Sequence, residues 1–193
     1  MELTDGACVS RARTGDPDAF RMLVERHSRS LFRLAFRMTG NEQDAEDVVQ
    51  ESFLRAYRRL DTFDDRAGFG TWMYRIVTNC ALDLVRSRRL RAAWAGASNG
   101  DGAGEDPMLG VPSPDPGPER AALSGEVRER VAEALNGLSA TERAAFVLRH
   151  YEGMRIQEVS RVLECRPGAA KHSVFRAVQK LRRALEPVVS SAK

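Results

Sequence analysis

DAEDVVQESFLRAYRRL at 44–60 and FGTWMYRIVTNCALDLVRSRR at 69–89 decide how this chain folds. In the first, Ala45, Val48, Val49, Ser52, Ala56 and Leu60 form one stripe at helical spacing, with Asn41 placed to cap. In the second, Met73, Ile76, Val77, Cys80 and Leu84 share one side of a helix reaching to about Arg91. Upstream, Asp16-Pro17 is a helix start. Phe20, Leu23, Val24, His27, Leu31, Leu34, Ala35 and Met38 then recur with helical period until Gly40 supplies a stop. The expectation is a three-helix domain over residues 16–94, preceded by a tail at 1–15.

Downstream, helical periodicity vanishes. Between Ala95 and Pro118 six glycines alternate with five prolines, which predicts a flexible linker. A helix is expected from about Glu119 to Leu138, and Ser139-Ala140-Thr141-Glu142 then fits a capping box opening a second helix that ends near Gly153. A short helix at Ile156 to Leu163, a turn at Glu164 to Arg166 and a basic helix beginning at Pro167 follow in helix-turn-helix order. No strand-like alternation of useful length occurs. The predicted class is all-α: two small helical domains, 16–94 and 119–187, with a short tail at 188–193.

Composition narrows the function. With 42% hydrophobic and 30% charged residues the 193-residue chain reads as a soluble globular protein, and no apolar run approaches a membrane span. No secretory signal is evident, so a cytoplasmic location is expected. Three cysteines, Cys8, Cys80 and Cys165, lack zinc or disulfide-framework spacing, and Cys80 and Cys165 read as core residues. His27 sits in an apolar stripe, His150 near a helix end and His172 on a basic face, so no metal or nucleophile site is expected. No Walker loop, dinucleotide fingerprint or triad appears, and neither a cofactor nor catalysis is expected.

Charge is distributed unevenly. Glu42, Asp44, Glu46, Asp47 and Glu51 stand together without a cation, whereas 166–183 carries Arg166, Lys171, Arg176, Lys180, Arg182 and Arg183 without an acid. First-turn acids complement a helix dipole, which accounts for Glu42 and Asp44. Asp47, Gln50 and Glu51 lie deeper and off the apolar stripe, forming a polar patch that could meet a basic helix on another protein. Trp72, Arg75, Asn79, Asp83 and Arg86 fall on one face of their helix, with Phe63, Phe69 and Tyr74 nearby. Rings that stack on unpaired bases beside cations that hold phosphates suit single-stranded DNA; the alternative is that the aromatics finish a small core. On the last helix Arg166, Lys171, His172, Ser173, Arg176 and Lys180 lie on or near the outward side, with Ala170, Val174, Ala177, Leu181 and Leu185 facing inward.

At these residues the chain resembles bacterial RNA polymerase sigma factors of the extracytoplasmic-function group. The likeness is carried by Asp44-Ala45-Glu46-Asp47-Val48-Val49-Gln50-Glu51-Ser52-Phe53 and Thr71-Trp72-Met73-Tyr74-Arg75-Ile76-Val77-Thr78-Asn79. It spans roughly Asp18 to Arg91 and Glu119 to Leu185. The resemblance implies that Asp47, Gln50 and Glu51 contact the clamp helices of the polymerase beta-prime subunit, with further contact to the beta subunit. It implies that the loop from Leu60 to Gly70 captures a base of the minus-ten element, supported by Trp72, Arg75, Asn79 and Arg86. Lys171 and Arg176 would read the minus-thirty-five element as duplex, and Asp101, Glu105, Asp106 and Asp115 of the linker would run towards the RNA exit path. An anti-sigma protein is an implied partner. The chain departs from the family pattern at Glu164, where a turn glycine is usual, at Arg166 and Ser173, and at Gly68 and Gly70, which favour a mobile loop.

A different class is a stand-alone helix-turn-helix regulator whose first half dimerises. It leaves the acidic patch and the aromatics without a role. An adaptor that never touches DNA leaves the acid-free last helix unexplained.

Overall fold

The computed structural model describes residues 3–64, 68–94, 130–131 and 133–191, and every regular element among them is helical. These are α1 (Asp5–Arg13), α2 (Pro17–Thr39), α3 (Glu42–Arg58), a 3-10 turn (Leu60–Thr62), α4 (Phe69–Trp94), α5 (Ala140–His150), α6 (Ile156–Val162) and α7 (Pro167–Ser191). By its contacts the chain divides into Met1–Leu84 and Val85–Lys193, with α4 continuing through that boundary. The expected linker at 95–118, its four acids and most of the helix expected at 119–138 lie outside the described residues.

In the first unit local chemistry sets the helix ends. Asp16 Oδ1 accepts from the Asp18 and Ala19 amides at 3.0 and 3.2 Å, and Pro17 opens α2. Gly40 closes it in the left-handed region at φ 73°, its N–H donating to the Phe36 carbonyl at 2.7 Å. Asn41 Oδ1 then accepts from the Asp44 amide at 2.9 Å and starts α3. The core joins Leu23, Leu31, Leu34, Ala35 and Met38 of α2 to Ala45, Val48, Phe53 and Ala56 of α3 and to Met73, Val77, Cys80 and Ala81 of α4. Each fully buried Leu or Met contributes roughly 1.5 to 3 kcal/mol.

Two expectations change at the N-terminus. Residues 1–15, expected as a tail, contain α1, which Thr4 caps through the Ala7 amide and which buries Cys8, Val9 and Ala12. His27, expected as a core side chain, is half-buried and its Nε2 lies 2.8 Å from Asp5 Oδ2 on α1.

In the second unit the Ser139 capping box is present in both directions: Glu142 N–H donates to Ser139 Oγ at 3.2 Å and Ser139 N–H to Glu142 Oε2 at 2.9 Å. Ala134, Leu135 and Leu138 pack with Ala177 and Leu181 of α7, flanked by Val131, Phe146 and Leu185. At the other end Arg155 N–H donates to Glu158 Oε2 at 2.7 Å to begin α6. Helix α7 runs on to Ser191, through the residues expected as a C-terminal tail. Cys165, expected in the core, is only half-buried, in the turn between α6 and α7.

That turn holds the one non-glycine residue with positive φ among the described residues, Glu164 at 51°. The left-handed region costs a side-chain-bearing residue about 1 to 2 kcal/mol, part of which glycine gives back by its freedom in the unfolded chain. Glu164→Gly is therefore expected to stabilise the domain by about 0.5 to 1 kcal/mol, read as a higher urea midpoint at unchanged slope.

Candidate binding surfaces

Three surfaces can be built from these elements. On α3, Asp47 and Gln50 are exposed, while Glu51 is half-buried and accepts from Arg55 Nε one turn on at 2.7 Å. Asp44, read as a first-turn acid that complements the helix dipole, is buried. Beside Gln50 runs a groove of about 760 Å³ between α2 and α3, lined by Phe20, Val24 and Phe32 on one side and Val49, Phe53, Leu54 and Tyr57 on the other. The Phe20 ring stacks edge-on against Tyr57 at 4.9 Å. Leu54 and Tyr57 are 46% and 54% exposed, so this wall shows apolar surface to solvent. The sequence reading missed the groove. Its signal is Phe53, Leu54 and Tyr57, large apolar residues of α3 left outside the stripe that begins at Ala45.

The aromatic surface is organised differently from expectation. Phe63 and Phe69, expected to meet DNA, are only 5% and 2% exposed, so neither offers a ring face to a base. They pack edge-on at 5.8 Å and bring the two ends of the loop segment together; Asp65–Ala67 between them lie outside the described residues. Trp72 rests on this pair, 5.3 Å from Phe63 and 5.8 Å from Phe69, and is half-buried with part of its ring accessible. Along the same face of α4, Arg75 and Arg86 are exposed and Asn79 is half-buried. Two cations and one partly buried ring thus share this helix. The phenylalanines support that ring.

On α7, Lys171, His172 and Arg176 are exposed, Arg166 is exposed just before the helix, and Ser173 is half-buried. Phe175, which the sequence reading left unassigned, is 59% exposed between them. Lys180 is exposed as well, and its ammonium lies 2.6 Å from Glu142 Oε2, tying α7 to the start of α5. Among the described residues no group of three or more His, Cys, Asp or Glu gathers as for a metal ion, and no helix is long and apolar enough to cross a membrane.

The sigma-70 region 2 family matches residues 23–91 and the sigma-70 region 4 family matches 128–181. RNA polymerase sigma-H factor of Pseudomonas aeruginosa is 31% identical over 97% of both chains, and the ECF sigma-E factor of Escherichia coli 32% identical over 97% of both. The chain belongs to the extracytoplasmic-function group of RNA polymerase sigma factors. It is a transcription initiation factor. A third relative, ECF sigma factor SigW of Bacillus subtilis, is 31% identical over 96% of this chain and 98% of its own. Among solved structures, CnrH in complex with the cytosolic domain of CnrY is 28% identical, covers 95% of this chain and 97% of its own, and superposes with a TM-score of 0.64. The RpoE sigma factor of Bartonella quintana, solved with the anti-sigma factor NepR, shares the fold at 21% identity and a TM-score of 0.63 over 86% of this chain.

Within this sigma factor the region 2 match contains the acidic patch, the aromatic cluster and all of the groove but Phe20, and the region 4 match contains α5, α6 and most of α7. Helix α1 precedes both. The Glu142–Lys180 pair is a fixture of the region 4 part. Burial works to raise the Glu142 carboxyl, but the Lys180 ammonium and the two Ser139 bonds outweigh it and hold the group below its ordinary value of 4.5. A depressed carboxyl contributes stability that is complete above its unfolded value and fades as pH falls through the folded one. Thermal midpoints of the full chain should therefore fall more steeply below about pH 4.5 for the native protein than for Glu142→Gln, which lacks this titration.

Proposed function

We propose that this sigma factor recruits core RNA polymerase through α3 and opens promoter DNA with α4, while α7 reads an upstream duplex element. One observation carries the reading. One small helical unit shows an acidic patch bordered by an apolar groove on α3, and on α4 a half-buried Trp72 seated on Phe63 and Phe69 with the exposed Arg75 three residues on. Asp47, Gln50 and Glu51 would meet cations on the beta-prime clamp helices. The groove beside Gln50 would take the apolar side of the same helices, giving the contact its desolvated centre and leaving the acids as its rim. Because Arg55 already engages Glu51, Asp47 and Gln50 carry more of the specificity.

On the DNA side, Trp72 stacks on an unpaired base and Arg75 and Arg86 hold phosphates, with Asn79 able to donate to a base edge. In the upstream element Arg176 and Lys171 contact base edges or phosphates, and the exposed Phe175 ring suits a thymine methyl group. Lys180 is left out of this surface because its charge is committed to Glu142. The chain performs no bond chemistry in this reading; binding energy alone drives opening. CnrH and the Bartonella RpoE were each solved with a protein partner bound, and likeness to them supports an anti-sigma protein as a partner that covers the α2–α3 groove and so competes with polymerase.

The decisive experiment mixes the chain with core polymerase and measures initiation from promoters selected out of a random duplex library. Gln50→Lys with Glu51→Lys is expected to abolish initiation by loss of core binding, as measured by gel filtration; retained initiation would refute the docking assignment. Trp72→Ala should leave core binding intact and slow strand opening by roughly 5- to 100-fold, the equivalent of a stacking contact worth about 1 to 3 kcal/mol. Tight duplex binding by the chain without polymerase would instead favour the stand-alone regulator.

For the upstream surface, Arg176→Ala and Lys171→Ala should each weaken duplex binding by the holoenzyme. A phosphate-contacting residue lowers the slope of log affinity against log salt by about one, and a base-contacting one relaxes selectivity at a single position. Lys180→Ala should change neither slope nor selectivity, and is expected to lower stability instead.

A further inference from the structure

Helix α1 precedes both family matches and the function proposed above leaves it without a role. It ends at Arg13, whose guanidinium reaches across to the segment that follows α3. Nε and Nη2 donate to the Leu60 carbonyl at 3.1 and 2.9 Å, and Nη2 donates to the Phe63 carbonyl at 2.6 Å and lies 3.5 Å from that of Asp61. The backbone of this segment bonds to itself through Thr62 N–H to Arg59 O at 2.9 Å and Phe63 N–H to Leu60 O at 3.2 Å. A planar fork with five N–H donors can serve several carbonyls at once; an ammonium on a flexible stem cannot hold the same set in one geometry.

The other end of α1 grips α2. Asp5 accepts from the Arg26 guanidinium and pairs with His27 Nε2 at 2.8 Å, and the His27 ring packs on Phe69 with centroids 5.3 Å apart. Two routes therefore leave α1 and converge. One runs from Arg13 to the Phe63 carbonyl and on through the Phe63 ring to Trp72 at 5.3 Å. The second runs from Asp5 through His27 and Phe69 to Trp72 at 5.8 Å. The strap itself is anchored by its buried Cys8, Val9 and Ala12 and by the Arg11–Asp16 ion pair at 2.7 Å where the chain turns into α2.

We infer that α1 is a strap that seats the Trp72 ring for unpaired DNA, with Arg13 and the Asp5–His27 pair as its two positioning contacts. The inference rests on the reading of Trp72 as a stacking residue, and the seat itself can be tested without that reading. The chain has two tryptophans, and Trp94 is exposed at the end of α4, so Trp94→Phe leaves Trp72 as the only indole. In that background Arg13→Ala, Arg13→Lys and Asp5→Asn are each expected to shift Trp72 emission to the red and to raise its quenching by acrylamide, while far-UV circular dichroism stays unchanged. Arg13→Lys, which keeps the charge, should resemble Arg13→Ala; a lysine variant indistinguishable from the parent would show that charge alone suffices and would overturn the role of the fork. Should Arg13→Ala fail to fold, the lysine and Asp5→Asn variants decide the question, and unchanged emission and quenching in both overturns the inference.

The functional arm uses holoenzyme and a labelled single-stranded oligonucleotide selected from a random pool. Loss of the seat should weaken binding roughly tenfold, within the range of one stacking contact, with the salt slope unchanged because Arg13 touches carbonyls and not phosphate. A double-mutant cycle separates positioning from general weakening: Arg13→Ala should have no further effect on oligonucleotide binding once Trp72 is Ala. Additive losses would overturn the strap. If Trp72→Ala alone leaves binding unchanged, the reading of Trp72 fails instead, and the emission data still decide whether α1 seats the ring.

Discussion

Close packing of α2 against α3 is the constraint on which the first unit depends. Ala45, Ser52 and Ala56 line the buried side of α3 at full burial, and Ser52 satisfies its hydroxyl within the helix by donating to the Val48 carbonyl at 2.6 Å. Small residues there let the two helices approach. The larger Val49 and Tyr57 lie towards the flank, where with Phe20, Phe32 and the core residue Phe53 they form the walls of the groove. The groove is thus a by-product of the same packing that holds the unit together, and the acids of α3 border it because they occupy the next positions round the helix.

Charge is mixed on these helices: α3 carries Arg55 and Arg58 as well as its acids, and α4 carries Asp83 between Arg75 and Arg86. Surface carboxylates and guanidinium groups separated by more than the screening length of roughly 8 Å act nearly independently at physiological salt. Pairs within a turn, such as Glu51 with Arg55, cancel locally and contribute little to stability when this exposed. Lys180 with Glu142 differs. That carboxylate is nearly buried and also caps a helix, so the pair joins capping to tertiary structure.

Much of the fold was legible in the residues. Asp16, Gly40, Asn41 and Ser139 act through backbone groups within a few residues of themselves, so their roles follow from local sequence. What escaped depends on neighbours far along the chain. Lys180 looks like any outward cation until Glu142, 38 residues earlier, is brought against it. His27 reads as core until Asp5, 22 residues earlier, supplies a carboxylate. Phe63 and Phe69 could have been exposed or buried on spacing alone, and the contact between their rings decides for burial. Helix α1 is short and weakly patterned; Thr4 before Asp5 and Gly15 after it were its only local marks.

The left-handed residue of the second unit bears on charge as well as on geometry. Glu164 is exposed in the turn leading to α7, so a formal negative charge stands at the margin of Arg166, Lys171 and Arg176. A carboxylate at such a border acts mainly on the rate and salt dependence of encounter with a charged partner, and little on the contacts made once that partner is seated.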